Sequence, residues 1–228
     1  MKTGQKIKDK ILNFLDYLFR LVMINVLIIV PSFSFIFIYS YFETVQDIWL
    51  YITLIPVLLY FIPSVVAGFA CVKMYEDSGC TGIFKEFYSF FKKFYVKSLL
   101  LSLIVIAAGF LFGNSAIYFY QQISQSIINV IGFFISVSVI LVMSLALIHI
   151  PLSIVYFEDL GLIDCIKTAF LIAFKNIWKT ILMLISVAIL ILIDTTVFYF
   201  MALVGISLPI YVLVKISFRQ YITIYHKL

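Results

Sequence analysis

The chain has few of the side chains that perform chemistry in proteins. Its 228 residues include two histidines, His149 and His226, three cysteines and 11 acidic residues. It also lacks a glycine-rich phosphate loop, a metalloprotease pair of histidines on one helix face and a serine in a nucleophile elbow. These absences leave little for acid–base catalysis or metal binding, so we expect no enzyme, no cofactor and no metal site.

Cysteine and charge are sparse as well, and both absences limit the class of protein. Cys71, Cys80 and Cys165 share no ligand-like spacing, so neither a zinc site nor a disulfide framework is expected. Charged residues make up 12% of the chain and hydrophobic residues 64%, which excludes a water-soluble fold. The apolar stretches are continuous rather than alternating, so they predict membrane-spanning helices and not barrel strands.

What the sequence does contain is six long apolar segments. Five cover about residues 21–41, 49–72, 97–118, 127–156 and 179–200, and a sixth ends near residue 225 after an outer turn at Gly205 and Pro209. All sixteen Lys and Arg residues can then be placed on one side of the membrane, while Glu43 and Asp47 fall on the other. Because basic loops stay in the cytoplasm, this layout predicts cytoplasmic N- and C-termini.

The lysine-rich segments beside these spans are typical of helices that lie in the membrane interface. Residues 1–20 form an amphipathic lead-in, and residues 84–96 and 161–175 place apolar side chains among lysines. The net charge of +5 is spread over such short segments, which favours contact with anionic lipid head groups over nucleic acid. The candidate docking residues are Lys85, Lys92, Lys93, Lys167 and Lys175.

A shift of 82 residues aligns two parts of the chain. The matched pairs are Glu76 with Glu158, Asp77 with Asp159, Gly79 with Gly161, Lys85 with Lys167, Lys93 with Lys175, Lys97 with Lys179 and Ser98 with Thr180. This pattern predicts a parallel repeat with units 49–118 and 131–200, each joining two spans through a surface helix. The two units either enclose a shared site, as in transporters, or are an old duplication whose lysines anchor similar surface helices.

The fold expected from these patterns is an all-α polytopic membrane protein. It is one domain over residues 1–228, with six transmembrane helices, two cytoplasmic interfacial helices and the internal repeat.

Three polar side chains inside the predicted spans are candidates for an intramembrane site, because polar groups are costly in lipid. Asp194 lies about 22 Å along its helix from Lys179, near the outer boundary, whereas His149 and Asn25 lie at inner depth. Either His149 and Asn25 line an inward pocket with Lys73 and Lys215 for an anionic or hydroxylated ligand, or the polar groups are structural. In the second case Asp194 is wetted at the boundary, His149 bonds carbonyls freed by Pro151, and Asn25 joins two helices.

Three segments resemble a known family of bacterial membrane proteins. They are RLVMINVLIIVPS at residues 20–32, GFACVKMYED at 68–77 and FKEFYSFFKKFYVKSLL at 84–100. Together with the second cytoplasmic segment, residues 159–179, they are similar to the YesL family, also called the domain of unknown function 624. The resemblance implies a multipass protein of the bacterial plasma membrane, often encoded beside carbohydrate uptake and degradation systems. It supplies no catalytic residues.

These observations lead to three functional hypotheses. The first is an accessory protein of a carbohydrate uptake system that meets sugar-transporter subunits through its basic cytoplasmic face. The second is a small-molecule carrier or channel, built on the repeat or on a homo-oligomer, with Asp194, His149 and Asn25 converging on one hydrated path. The third is a structural or lipid-interacting membrane protein.

Overall fold

The computed structural model describes residues 11–12, 14–29, 48–78, 82–196 and 203–225. Within these ranges the side chains of residues 48–58, 78, 194–196, 218–220 and 222–225 are not described. The lead-in up to residue 10, the outer half of the first predicted span, Glu43, Asp47, Gly79 and Cys80 therefore lie outside the described residues.

The described part of the chain is helical and contains no strand. Its helices are α1 (residues 14–29), α2 (Ile48–Ser78), α3 (Ile83–Gln121), α4 (Ile127–Tyr156), α5 (Leu162–Lys175), α6 (Ile177–Thr196) and α7 (Ser207–Tyr225). The prediction of an all-α fold is confirmed for this part of the chain.

Three of the described helices are long and apolar enough to cross a membrane. They are the part of α2 from Leu59 to Asp77, α3 and α4. The pair α5 and α6 is bent by 99° and makes a fourth if the two count as one span. The described residues thus hold three or four candidate spans, and the number six remains a prediction.

The charged side chains of the described residues gather at one end of the bundle. Residues 98–157 contain no Lys, Arg, Asp or Glu, so α4 and most of α3 are uncharged. The C-terminal ends of α2 and α4 meet the N-terminal part of α3 there: Lys97 Nζ donates to the carbonyl oxygens of Glu158 at 2.6 Å and Leu160 at 2.8 Å. We call this the basic end; it also holds the start of α1 and α6, all of α5 and the second half of α7.

Helices α1, α2 and α7 approach one another closely at Gly68. A Cβ atom on Gly68 would lie 3.0 Å from Ile28 Cδ1, 3.2 Å from Ile210 Cδ1 and 3.4 Å from Ile24 Cγ2. Glycine therefore permits this close approach, as small residues do between helices in lipid. Away from the basic end, α3 and α4 form a hairpin with many exposed apolar side chains, including Phe110 at 67%.

The two repeat units differ at the segment between their spans. α3 is one helix of 39 residues, about 58 Å long, so the predicted interfacial helix (84–96) and the third span (97–118) are continuous. In the second unit α5 and α6 are separated by the bend at Asn176. Asn176 corresponds to Phe94, which is buried within α3, so the expected likeness of the two units does not extend to this joint.

The turn before α7 is buried against α1. The backbone N–H of Ile206 donates to Asn25 Oδ1 at 2.9 Å. Asn25 is only five residues beyond Arg20 along α1, a distance of about 7.5 Å, and the Arg20 guanidinium lies 4.1 Å from the ring centre of Tyr75 at the basic end. The place of this turn, at Gly205 and Pro209, on the outer side of the membrane stays a prediction. The buried Asn25 holds the turn at this level, because it accepts hydrogen bonds from the amides that start α7.

Candidate functional site

A buried polar network joins α4, α6 and α7 close to the basic end. His149, Ser153, Thr180 and Tyr221 all have 0% exposed surface. His149 Nδ1 lies 3.2 Å from Tyr221 Oη, and its Nε2 lies 2.9 Å from Thr180 Oγ1. Tyr221 Oη also lies 3.1 Å from the carbonyl oxygen of His149 and 3.4 Å from Ser153 Oγ. One imidazole ring therefore connects three helices.

The bend between α5 and α6 positions Thr180 for this network. Asn176 ends α5, and its N–H donates to the carbonyl of Ile172 at 3.1 Å. One turn later, Thr180 Oγ1 lies 3.1 Å from the carbonyl of Ala173 and 3.3 Å from that of Asn176. The hydroxyl group thus satisfies carbonyls near the bend and also reaches His149.

Both neutral tautomers of His149 satisfy the network. With hydrogen on Nε2, the ring donates to Thr180, which donates to the carbonyl of Ala173, and Nδ1 accepts from Tyr221. With hydrogen on Nδ1, the ring donates to Tyr221, which donates to the carbonyl of His149, and Nε2 accepts from Thr180. Either way the side-chain atoms of the network have partners, as buried polar groups in stable cores do.

Asn25 has a separate role. It is fully buried, and its Oδ1 accepts hydrogen bonds from the backbone N–H groups of Ile206 at 2.9 Å and Ser207 at 3.3 Å. A side-chain oxygen at the start of a helix satisfies amides that have no partner within the helix. Asn25 therefore attaches α7 to α1.

The three intramembrane candidates are not brought together by the described contacts. His149 bonds to Tyr221 and Thr180, whereas Asn25 bonds to the amides before α7. The side chain of Asp194 lies outside the described residues; its position on α6 is fourteen residues, about 21 Å, beyond Thr180. Among the described contacts, none joins any two of the three.

The candidate docking lysines lie at the basic end in two kinds of setting. Lys93 forms an ion pair with Glu158, and Lys167 pairs with Asp164 at 3.3 Å. The exposed side chains of Lys85, Lys92 and Lys175 form no ion pair with any described residue. These last three are the lysines most available to a partner or a lipid surface.

The exposed face of α5 and the start of α6 combine lysines with large apolar side chains. Ile163 is 68% exposed, Leu171 70% and Trp178 82%. The opposite face of α5 is buried through Cys165 and Ala169. Exposed Trp and aliphatic side chains beside lysines are typical of a helix at a membrane interface.

A second group of polar side chains joins α1, α2 and α7 at the basic end. Tyr17 Oη donates to Glu76 Oε1 at 3.4 Å, and Lys215 forms an ion pair with the other oxygen of Glu76. Burial, reinforced by Tyr211 and Glu76, raises the pKa of Tyr17 above its ordinary value, so the phenol keeps its proton and remains a donor. This group fixes the start of α1 against α2.

A pocket of about 200 Å³ lies between α2, α3 and α4 at the same end. Its lining residues are Ala70, Lys73, Met74, Asp77, Phe90, Val155 and Glu158. Lys73 Nζ donates to the carbonyl of Val155 at 3.1 Å and lies 4.5 Å from the ring centre of Tyr156. Three of the lining residues are charged, and sequence reasoning had placed only Lys73 among them in an inward pocket.

Sequence reasoning also missed the partners of His149. Thr180 carried a usable signal, because the repeat aligns it with Ser98 and both are fully buried. Tyr221 carried none, since it lies 72 residues from His149 in a segment expected to end a span. Long-range contacts of this kind leave no local pattern.

Comparison of the chain with protein-family models, with curated proteins and with solved structures finds no match. Among the described residues there is no cluster of three or more His, Cys, Asp or Glu side chains that could hold a metal ion. The similarity to the YesL family therefore stays an expectation from the sequence, and function must be argued from the geometry.

Proposed function

We propose that this chain is an accessory protein of a carbohydrate uptake system in a bacterial plasma membrane. In this proposal the basic end faces the cytoplasm together with both termini, the chain makes six spans, and exposed lysines dock a sugar-transporter permease or its ATPase. The observation that carries the proposal is the separate helix α5, which lies at 99° to α6 and presents lysines and apolar side chains outward. The resemblance to the YesL family supplies the expected partner class.

The interior chemistry supports an accessory role over a carrier. His149 and Asn25 are fully buried and have separate, satisfied hydrogen-bond partners. A transport path needs polar groups that face a shared cavity. Contacts that join helices need only satisfied hydrogen-bond partners, such as those of His149 and Asn25.

The burial pattern supports the duplicated unit. At the 82-residue offset, both members of several position pairs are buried, including Ala67 with His149 and Ser98 with Thr180. The other such pairs are Pro63 with Leu145, Ser64 with Ala146, Gly68 with Ile150, Ala70 with Leu152, Cys71 with Ser153, Val72 with Ile154, Phe87 with Ala169 and Leu101 with Met183. Two units that derive from one ancestor would bury corresponding positions, as these do.

The docking proposal is tested by replacing the three candidate docking lysines that are exposed and lack ion pairs with any described residue. We expect Lys85→Gln, Lys92→Gln and Lys175→Gln together to abolish co-purification of a sugar-transport permease or ATPase from native membranes. The matched control changes the same three lysines to Arg, which keeps the charge. Mass spectrometry measures recovery, and protease protection checks that membrane placement is unchanged. Equal recovery with the Gln and Arg variants would contradict the proposal.

A lipid-interacting role is the second candidate, and the exposed Trp178 favours it. If α5 and the start of α6 lie in the interface, brominated lipids should quench Trp178 most strongly when bromine is near the head group. The measurement uses a Trp49→Phe background, because the chain has two tryptophans. Quenching by headgroup-proximal lipid that survives the triple Gln replacement, with no permease or ATPase recovered from either variant, would favour this candidate over docking.

A further inference from the structure

The pocket between α2, α3 and α4 has the charge arrangement of a ligand site. We infer that it binds a zwitterion with one anionic group and one primary ammonium group, as in ethanolamine phosphate. The anionic group would meet Lys73, and the ammonium group would meet Asp77 and Glu158. This inference concerns a small-molecule site and does not depend on the proposed docking function.

Lys73 and the two carboxylates that line the pocket attract one another but form no direct ion pair. Lys73, Asp77 and Glu158 all line it, but no ion pair joins Lys73 to either carboxylate among the described residues. Asp77 follows Lys73 by four residues, a spacing at which such side chains readily pair on a helix. The gap between them is therefore a place where a molecule with both charges can bridge the two sides.

The hydrogen-bonding groups have capacity left for such a molecule. An ammonium group has three donors, and Lys73 Nζ uses one on the carbonyl of Val155 and also contacts the ring of Tyr156. Asp77 is exposed and has no described partner, and Glu158 uses Oε2 for Lys93 while its Oε1 has none. Donor and acceptor positions thus remain on both sides of the pocket.

The rest of the lining narrows the class of ligand. Ala70, Met74, Phe90 and Val155 give the pocket apolar walls, which suit a short alkyl chain between the two charged groups. A hydrated divalent cation would need several oxygen ligands and would be repelled by Lys73. A simple anion would be repelled by the two carboxylates. A small zwitterion fits both the charge and the volume of about 200 Å³.

The location allows two sources for this chemistry. Asp77 ends the candidate span Leu59–Asp77, and Glu158 follows α4 by two residues, so the pocket lies where head groups would meet the helix ends. The ligand is therefore either the head group of phosphatidylethanolamine or a soluble amino phosphate.

The test uses a matched pair of aspartates. Asp77 and Asp159 correspond under the repeat and both are exposed, but only Asp77 lines the pocket. Delipidated, detergent-purified protein is titrated by native mass spectrometry with phosphatidylethanolamine, with phosphatidylcholine and with O-phosphoethanolamine. Phosphatidylcholine is the ligand control, because its quaternary ammonium cannot donate a hydrogen bond.

We expect phosphatidylethanolamine to bind at least about tenfold more tightly than phosphatidylcholine, which corresponds to about 1.4 kcal/mol. Asp77→Asn should remove this preference, and Asp159→Asn should keep it. If O-phosphoethanolamine alone binds saturably and Asp77→Asn weakens it, the site takes a soluble zwitterion. Equal binding of the two lipids with no binding of O-phosphoethanolamine, or equal effects of the two Asn variants, would overturn the inference. Circular dichroism of each variant checks the fold. Lys73→Gln should weaken ligand binding as well, because it removes the charge that meets the anionic group of the ligand.

Discussion

The hydrogen-bond network around His149 predicts how substitutions change the stability of the protein, because the possible proton positions determine which groups lose a partner. Tyr221→Phe removes the hydroxyl that lies 3.2 Å from His149 Nδ1, 3.1 Å from the His149 carbonyl and 3.4 Å from Ser153 Oγ. Ser153 lies four residues after His149, the spacing at which Ser98 Oγ donates to the carbonyl of Phe94. Ser153 can therefore take over the freed carbonyl, which leaves His149 Nδ1 as the one group without a partner.

The expected cost follows from that one unpaired nitrogen. A net hydrogen bond contributes about 0.5–1.5 kcal/mol in proteins, and interhelical ones in lipid average about 0.6 kcal/mol. We expect Tyr221→Phe to lower the free energy of unfolding by about 1 kcal/mol. Thr180→Val leaves Nε2 without a partner instead and should cost a similar amount.

The double variant should cost more than the sum of the two single variants. In each single variant the ring can choose the tautomer that leaves a lone pair, and not an N–H, on the unpaired side. With both partners removed, one buried N–H must stay unpaired, and this is the costlier group to leave alone. The excess should be about 0.5–1 kcal/mol, within the range found for residues that share a network.

Reversible unfolding by sodium dodecyl sulfate in mixed micelles, followed by tryptophan fluorescence, measures these free energies. Tyr118→Phe is the control, because Tyr118 is 54% exposed and should show no effect. Additive costs would refute the tautomer argument, and an unchanged stability for Tyr221→Phe would refute the network itself.

Three further predictions concern the packing of the helices, and all are measured in the same unfolding assay. Gly68→Val should lower the free energy of unfolding by about 1–3 kcal/mol, because the larger side chain overpacks this contact. Gly113→Val should be nearly neutral, because no neighbouring atom lies within 4 Å of a Cβ there. Equal effects of the two variants would contradict the close approach of α1, α2 and α7. Lys97→Gln should lower the free energy of unfolding by about 1.5–3 kcal/mol, because the variant loses charged hydrogen bonds to two carbonyls after α4. Lys97→Arg should recover most of this stability. An unchanged stability of the Gln variant would argue against these bonds. Asn25→Leu should lower the free energy of unfolding by about 1–3 kcal/mol, because it leaves the amides before α7 unpaired. Asn114→Leu, at an exposed site, should not destabilise the protein. Similar changes in stability for the two variants would contradict the proposed role of Asn25.

The sequence made the helical class and the basic end predictable because both depend on composition along the chain. Residues 98–157 carry no charge, so long apolar helices are the expected outcome in lipid. Lys97 and Glu158 flank this uncharged stretch, and the structure brings them to the same end of the bundle. Such features need no knowledge of which helices touch.

The positions that sequence reasoning missed depend on contacts between distant residues. A turn before α7 was expected because Gly205 and Pro209 are typical turn residues. The hydrogen bond that buries this turn against α1 joins residues 181 positions apart. Turn chemistry predicts that the chain reverses, but it gives no information about depth.

Phe94 and Asn176, which the shift of 82 residues aligns, show how one residue can change the course of a helix. Phe94 in the first unit is buried, stacks on Phe90 and lies within an uninterrupted helix. Its counterpart Asn176 has a low helix propensity, because its side chain competes for backbone groups, and there the helix bends by 99°. The bend separates α5 from α6, and Thr180 satisfies the carbonyls near the break and reaches His149. In the first unit the corresponding pair is Ser98 and Ala67, and Ser98 bonds to its own helix. The bend therefore sets α5 at an angle to α6 and lets Thr180 reach His149, whereas the uninterrupted helix α3 keeps Ser98 bonded within its own helix.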